Sequence, residues 1–251
     1  MTDGAECFGD ASIPECEVRL GLTIHLFQRD KTTMIGSDAL APSKLEKATR
    51  NADRTRMLIL EAATQEFAEL GLAGARVEKI AEKAGTNKRM VYYYFNSKDD
   101  LFIAVLERSY ASIREAEKDL HLDDQAPIDA IRSLVAFTWN YFLENPEFIG
   151  LLNTENAHGG IHVKNSDSKS LNMPLVDMLG GVIQRGQRDG IFRAGVDPVQ
   201  LYISIASLSY FYLSNKHTLS TIFSRDLMST KARVERLHHM LDVVLGYLVI
   251  N

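Results

Sequence analysis

The chain is poor in cysteine: it has two in 251 residues, Cys7 and Cys16, both within the first twenty. Two thiols there make no disulfide framework, and no others remain for a structural zinc site. Long apolar runs are missing too, since none approaches the roughly 20 residues that span a bilayer. The N-terminus is acidic and lacks the basic start and apolar core of a secretory signal. A reducing cytoplasm is the expected compartment, with no membrane, cofactor or metal. No alternating strand pattern of useful length follows residue 50, and no Ser-His-Asp or Cys-His arrangement stands out, which argues against an enzyme. Hydrophobic residues at 45% and charged residues at 24% are ordinary for a globular protein that can bury a core.

A net charge of −5 speaks, taken alone, against a nucleic-acid partner. The charge is segregated, however. Lys44 to Asn96 holds ten cations and seven anions, a net +3 that leaves −8 for the rest. A weakly basic head on an acidic body suits approach to DNA by one end.

Helical periodicity begins at Thr55. Ile59, Ala63, Phe67 and Leu70 recur at intervals of three and four, and Gly71 ends the stripe as a C-terminal glycine should. Val77, Ile80, Ala81 and Ala84 make a second, shorter stripe closed by Gly85. The turn Ala84-Gly85-Thr86-Asn87 leads into a third helix that opens Lys88-Arg89 and ends Tyr92-Tyr93-Tyr94-Phe95, with Asn87 its expected cap. Ser97 before Lys98-Asp99-Asp100 is the expected cap of a long fourth helix. Two short helices joined by a Gly-containing turn, the second one basic, form the helix-turn-helix pattern.

Past the Asp123 to Pro127 break, helices are expected at about 127–144, 146–157, 172–189, 198–217 and 229–249. Pro146 and Pro198 then fall in first turns, where a missing donor costs nothing. The expected fold is all-α: an N-terminal three-helix helix-turn-helix domain over 51–100, followed by a larger helical bundle over 101–251. Residues 1–50 read as a disordered or poorly ordered extension. Met34 offers an alternative start, in which case 1–33 would not belong to the natural protein.

Ile59-Leu60-x-Ala62-Ala63, Phe67, Gly71, Val77-x-x-Ile80-Ala81, Ala84-Gly85, Val91-Tyr92-Tyr93-Tyr94-Phe95 and Lys98-Asp99-x-Leu101 form an ordered set over about fifty residues. In this set the chain resembles the TetR/AcrR family of bacterial one-component regulators. It departs from the family pattern at Ala75, where members often carry Thr, and at Tyr94, where the usual ending is Tyr-Tyr-His-Phe.

Groove readout needs donors near the start of the third helix, which singles out Thr86, Asn87, Lys88, Arg89 and Met90. Lys88 and Arg89 are expected to bond guanine or phosphate, with Arg the better bidentate reader; the plainer reading is solvated helix charge. Tyr92 and Tyr93 are expected to set hydroxyls on phosphates, while Val91 and Phe95 pack inward. Lys98 stands where a helix start favours phosphate, and the resemblance makes it a backbone clamp. Arg54 and Thr55 would approach from the start of the first helix. Arg76 would supply a phosphate contact beside the missing capping hydroxyl.

By the same resemblance the body binds a small molecule and dimerises. Pocket candidates are Phe137, Tyr141, Phe148, Leu152 and Met178, although core packing is the plainer reading for any one of them. Asn140, Glu155, Asn156 and His158 are polar residues among apolar ones, where burial would demand a partner. Glu155, His158 and His162 have ligand-like spacing, but Gly159-Gly160 breaks the helix between them, so no metal site is expected. The lining points to an apolar or aromatic effector. The last two long helices carry apolar surface wider than one stripe, as a dimer interface requires, and a two-fold dimer reads a pseudo-palindromic DNA operator. The function so implied is a ligand-responsive regulator, a repressor released by its effector. The competing expectation is a DNA-binding regulator without effector, controlled by abundance or a protein partner.

Overall fold

A computed structural model describes residues 44–164, 166 and 168–250, without the side chains of 44–50 and 168–173. The expectations for the chain before residue 44, its order and its start at Met34 included, lie outside these residues. The first helix, α1 (Lys44–Gly74), begins earlier than the periodicity suggested, inside the stretch expected to be a poorly ordered extension. Arg54 and Thr55 therefore sit within a helix rather than at its start. Gly71 interrupts α1 with φ 67° and ψ 174°, a backbone state open to glycine.

Three shorter or longer helices follow: α2 (Val77–Lys83), α3 (Lys88–Phe95) and α4 (Lys98–Lys118). The body adds α5 (Pro127–Glu144), α6 (Pro146–Ala157), the single-turn α7 (Ile161–Lys164) and α8 (Ser168–Arg188). The expected 198–217 helix is divided at Asn215 into α9 (Pro198–Ser214) and α10 (Lys216–Ile222), and α11 (Thr230–Leu248) closes the described chain. Among the described residues the only extended pairing is an isolated bridge between Phe192 and Val249. The fold is all-α, as the pattern required.

Two apolar clusters organise these helices. Ile59, Ala63, Phe67, Val77, Ile80, Val91 and Phe95 form the head cluster, as their spacing predicts, whereas Leu70 of the same expected stripe is 53% exposed. Leu101, Phe102, Val105 and Leu106 of α4 and Leu151 of α6 complete it. Each such buried aliphatic contributes about 1.5–3 kcal/mol. The head is thus sealed by residues beyond its expected boundary at residue 100. The second cluster joins Ile131, Leu134, Val135, Trp139 and Phe142 of α5 to Leu179 and Val182 of α8, Leu201 and Ile205 of α9, and Met240, Val244 and Leu248 of α11. Helix α4 serves both clusters, because Ile113 near its far end packs into the second.

Helix α6 lies so close to α1 that Gly150 has no room for a side chain. A Cβ there would stand 2.6 Å from the Ala68 carbonyl oxygen and 3.0 Å from its Cα. Backbone on both sides leaves nothing that yields cheaply. Gly150→Ala is expected to destabilise the fold by about 1–3 kcal/mol in urea unfolding, because overpacking outweighs the gain in helix propensity. Unchanged stability would contradict this close approach.

Candidate nucleic-acid interface and effector cavities

The turn between α2 and α3 is built from local chemistry. Gly85 takes φ 65° in open space, so its backbone state, and not crowding, demands glycine. The Thr86 amide donates to the Ala81 carbonyl at 2.9 Å, closing the end of α2. The Asn87 side chain then accepts from the Met90 amide at 3.1 Å and starts α3. Ser97 does the same for α4, accepting from Asp100. Helix α2 has no side-chain cap of its own at Arg76. Glu66 of α1 fills that place from across the head, taking the Arg76 amide at 3.4 Å and the Lys83 ammonium at 2.8 Å. Lys83 holds the buried Glu66 carboxyl below its ordinary range against the opposing effect of burial.

With Val91 and Phe95 buried, α3 turns Lys88, Arg89, Tyr92 and Tyr93 outward. Tyr93 is 74% exposed and Tyr92 beside it 37%. Lys88 is bridged to Glu78 at 2.6 Å and lies over the Tyr92 ring, so a phosphate would have to displace that carboxylate. Arg89 has no partner among the described residues and is the available fork of donors. Thr86 and Met90 are half-buried beside it, and Lys98 stands half-exposed in the first turn of α4. Arg54 and Arg76 are exposed. The Thr55 hydroxyl donates to the Asn51 carbonyl of its own helix at 2.9 Å, which corrects the expectation of a residue presented by a helix start.

The body contains several cavities. One of 360 Å³ lies between α1, α4, α5 and α6, with Glu61, Arg108, Tyr141 and Phe148 in its walls. A second, of 310 Å³, is lined by Tyr110, Phe142, Phe148, Leu152, Asn156, Tyr202 and others of α9. A third, of 180 Å³, is walled by Ala111, Arg114, Glu115, Glu117 and Lys118 of α4 and by Pro174, Leu175 and Met178 of α8. Arg114 and Glu117 are 7% and 2% exposed, and their charged atoms approach to 2.5 Å. Arg114 also donates to the Tyr202 hydroxyl at 2.9 Å. Burial pushes the Glu117 carboxyl up to about 7 in spite of the neighbouring guanidinium.

Family models for bacterial regulatory proteins of the tetR family and for the tetracyclin repressor-like C-terminal domain match residues 59–105 and 127–244. The HTH-type transcriptional repressor NicS of Pseudomonas putida is 45% identical over 197 residues, which is 78% of this chain and 93% of NicS. The chain belongs to the TetR family. The regulator RutR of Escherichia coli is 30% identical over 169 residues, covering 66% of this chain and 77% of its own length. A crystal structure of the transcriptional regulator SCO4942 from Streptomyces coelicolor superposes with a TM-score of 0.61 at 25% identity, over 77% of this chain and 98% of the other. As in TetR regulators generally, a helix-turn-helix head precedes a helical body, and family members bind DNA and small molecules and act as dimers. No helix among the described residues is long and apolar enough to cross a membrane.

Against this TetR frame the expected pocket residues scatter. Tyr141 and Phe148 line the 360 Å³ cavity, Phe148, Leu152 and Asn156 the 310 Å³ cavity, and Met178 the 180 Å³ cavity. Phe137 packs against the body core, and none of these cavities includes it. Asn140 is exposed, on the side of α5 opposite the stripe of Leu134, Val135 and Trp139. Glu155 is buried as foreseen, but its partners are protein: it accepts from the His162 and Val163 amides at 2.8 and 2.9 Å and contacts the His162 ring. It caps α7 where Gly159 and Gly160, both at positive φ, reverse the chain. His158 is exposed and bonds the Thr154 carbonyl. The burial of Arg114 and Glu117 was missed, since charges on a long helix read as a solvated face.

Two outcomes test this site. Arg89→Ala is expected to weaken operator binding by about 1–3 kcal/mol and relax base preference, whereas Lys98→Ala weakens all sequences alike and lowers the salt slope by about one. Equal effects of both on specific and random DNA would reject Arg89 as a base reader. Glu117, with its folded pKa raised above the unfolded value, adds stability that is present below about 4.5 and lost as pH rises through about 7. The stability of the wild type relative to Glu117→Gln should therefore fall across that window in urea titrations; a flat or rising difference contradicts the assignment.

Proposed function

We propose that this TetR regulator is a cytoplasmic homodimeric repressor, released from a pseudo-palindromic operator by a small-molecule effector held in the body. The observation that carries this reading is the exposed α3 face, with Arg89 unpartnered at its start, on a chain 45% identical to a repressor. Lys88, Tyr92, Tyr93 and Lys98 flank Arg89 as phosphate contacts, and Arg54, Arg76, Thr86, Asn87 and Met90 border them. Helix α4 supports the coupling, because Lys98 at one end belongs to the reading head and Arg114 and Glu117 near the other wall a cavity. A displacement of α4 by an occupant moves the head. To favour the non-binding arrangement, the effector needs a differential affinity worth a few kcal/mol.

The dimer is assigned to α9 and α11. Val199, Ile203 and Phe211 share one side of α9 and are 44%, 47% and 59% exposed, while Val243 and Tyr247 form a similar pair on α11. An apolar strip of this kind is costly in water and suits a second copy.

The test is a gel-shift titration on DNA upstream of the chain's own gene, extended to selection of bound genomic fragments, with and without metabolite extract. Retardation relieved by extract supports the reading; binding that no extract relieves would favour a regulator without effector. Ile203→Glu with Phe211→Glu is expected to yield a monomer by light scattering and to lower operator affinity about 100-fold, through loss of the second half-site. A dimer that survives both charges would move the interface elsewhere.

A further inference from the structure

We infer that the 310 Å³ cavity between α6 and α9 is the effector site, that it takes an uncharged compound of one or two fused rings, and that the second copy closes it. Both the site and its closure rest on the effector and dimer readings above.

Charge separates this cavity from the other two. Glu61, Arg108 and Glu147 stand in the wall of the 360 Å³ cavity, and Arg114, Glu115, Glu117 and Lys118 in that of the 180 Å³ cavity. Among the described residues, the wall between α6 and α9 contains no charged side chain. A charged occupant would lose water there and meet no counter-charge, whereas an uncharged one loses little. Tyr110, Phe142, Phe148, Tyr202 and Tyr210 give this wall its rings. Phe148 lies edge-on to Tyr110 at 5.7 Å and tilted to Phe142 at 5.6 Å between ring centres, spacings that a further ring can join. Neighbours hold the polar ends of the wall in place. The Tyr202 hydroxyl accepts from Arg114 at 2.9 Å, the Tyr210 hydroxyl donates to Asn153, and Asn156 Nδ2 donates to the Leu152 carbonyl at 2.8 Å. The volume stands at the low end of the about 300–1,000 Å³ of small-molecule sites, which sets the size of the occupant.

The mouth of the cavity lies on the face assigned to the dimer. Ile203, Ala206 and Tyr210 recur at intervals of three and four along α9, and Val199 continues their row one turn earlier. Val199 and Ile203 are the exposed apolar residues that the second copy covers in the dimer reading. Ala206 and Ser207, both small, leave the groove open between Tyr202 and Tyr210. A copy seated on this strip lies over the opening, so the occupant is enclosed in the dimer and open to water in a single chain. An occupant under the partner bears on the spacing of the two copies. Tyr110 also brings α4, the helix that joins head and body, into the same wall.

The test is calorimetric titration of the full chain with 1-naphthol, 1-naphthoate and 1-naphthylmethylammonium, which share a ring system and differ in charge. The expected result is saturable binding of 1-naphthol, with both ions at least about tenfold weaker. Ala206→Leu narrows the groove and should weaken 1-naphthol at least about tenfold. Ser207→Leu, at an exposed position of the same wall, repeats that test should the first variant not fold. Phe211→Glu with Val243→Glu changes no residue of the wall, and should give a monomer by light scattering that binds 1-naphthol about tenfold more weakly. No saturable binding, either ion binding as tightly as 1-naphthol, or indifference to both leucines would overturn the inference. So would a dimer that survives both charges, or a monomer that binds as tightly as the wild type. Metabolite extract that releases operator from Ala206→Leu as it does from the wild type would overturn it and leave the regulator standing. Binding of 1-naphthol that the leucine abolishes, in a protein that no extract releases, would support this site and sink the effector reading.

Discussion

The head cannot close its own core. Fifty residues in three helices bury little apolar surface alone, and here Leu101, Phe102, Val105, Leu106 and Leu151 from beyond them complete the cluster around Phe67. The reading face of α3 is therefore held by the same helix that walls the body cavities. Gly150 against the Ala68 carbonyl adds a second joint with no slack. A rigid connection of this kind turns a small displacement at one end into a displacement at the other, because packed interiors shift between discrete arrangements and do not stretch.

Buried charge is treated in two ways along this path. Glu66 gathers the Arg76 amide and Lys83, and Glu155 gathers two amides and the His162 ring, so both carboxylates fasten helix ends. Such sites are satisfied and structural. Arg114 and Glu117 differ: they contact each other at 2.5 Å, while Arg114 Nε and Glu117 Oε1 are buried without a partner among the described residues. Low dielectric makes that deficit expensive.

Much of the architecture was legible in the chain. Periodicity of three and four gave α5 and α6 at their observed bounds, and Asn87 and Ser97 are the caps their side chains suggested. Gly71 and Gly85 mark their turns because only their backbone states permit them. What stayed hidden depends on contacts between distant residues. Nothing local to Arg76 reveals that Glu66, ten residues earlier, caps its helix. Polar residues in the body showed the same limit: Asn140 falls outside, Glu155 inside, and pattern alone does not say which of several apolar neighbours covers a given turn. The start of α1 at Lys44 was missed because its first turns are polar and carry no stripe. The exposure of Arg89 and Tyr93 was easier to foresee, since Val91 and Phe95 mark the inward face of α3.

The central claim is that two copies of this head, set by the body, read two half-sites in successive major grooves. The most direct test is the distance between spin labels placed on the exposed face of α3 in the dimer, measured by pulsed dipolar spectroscopy with operator bound and with it released. The account predicts a narrow distribution on operator, set by recognition helices about 34–36 Å apart, and a displaced one after release. Identical distributions in the two states, or no defined distance on operator, would contradict it.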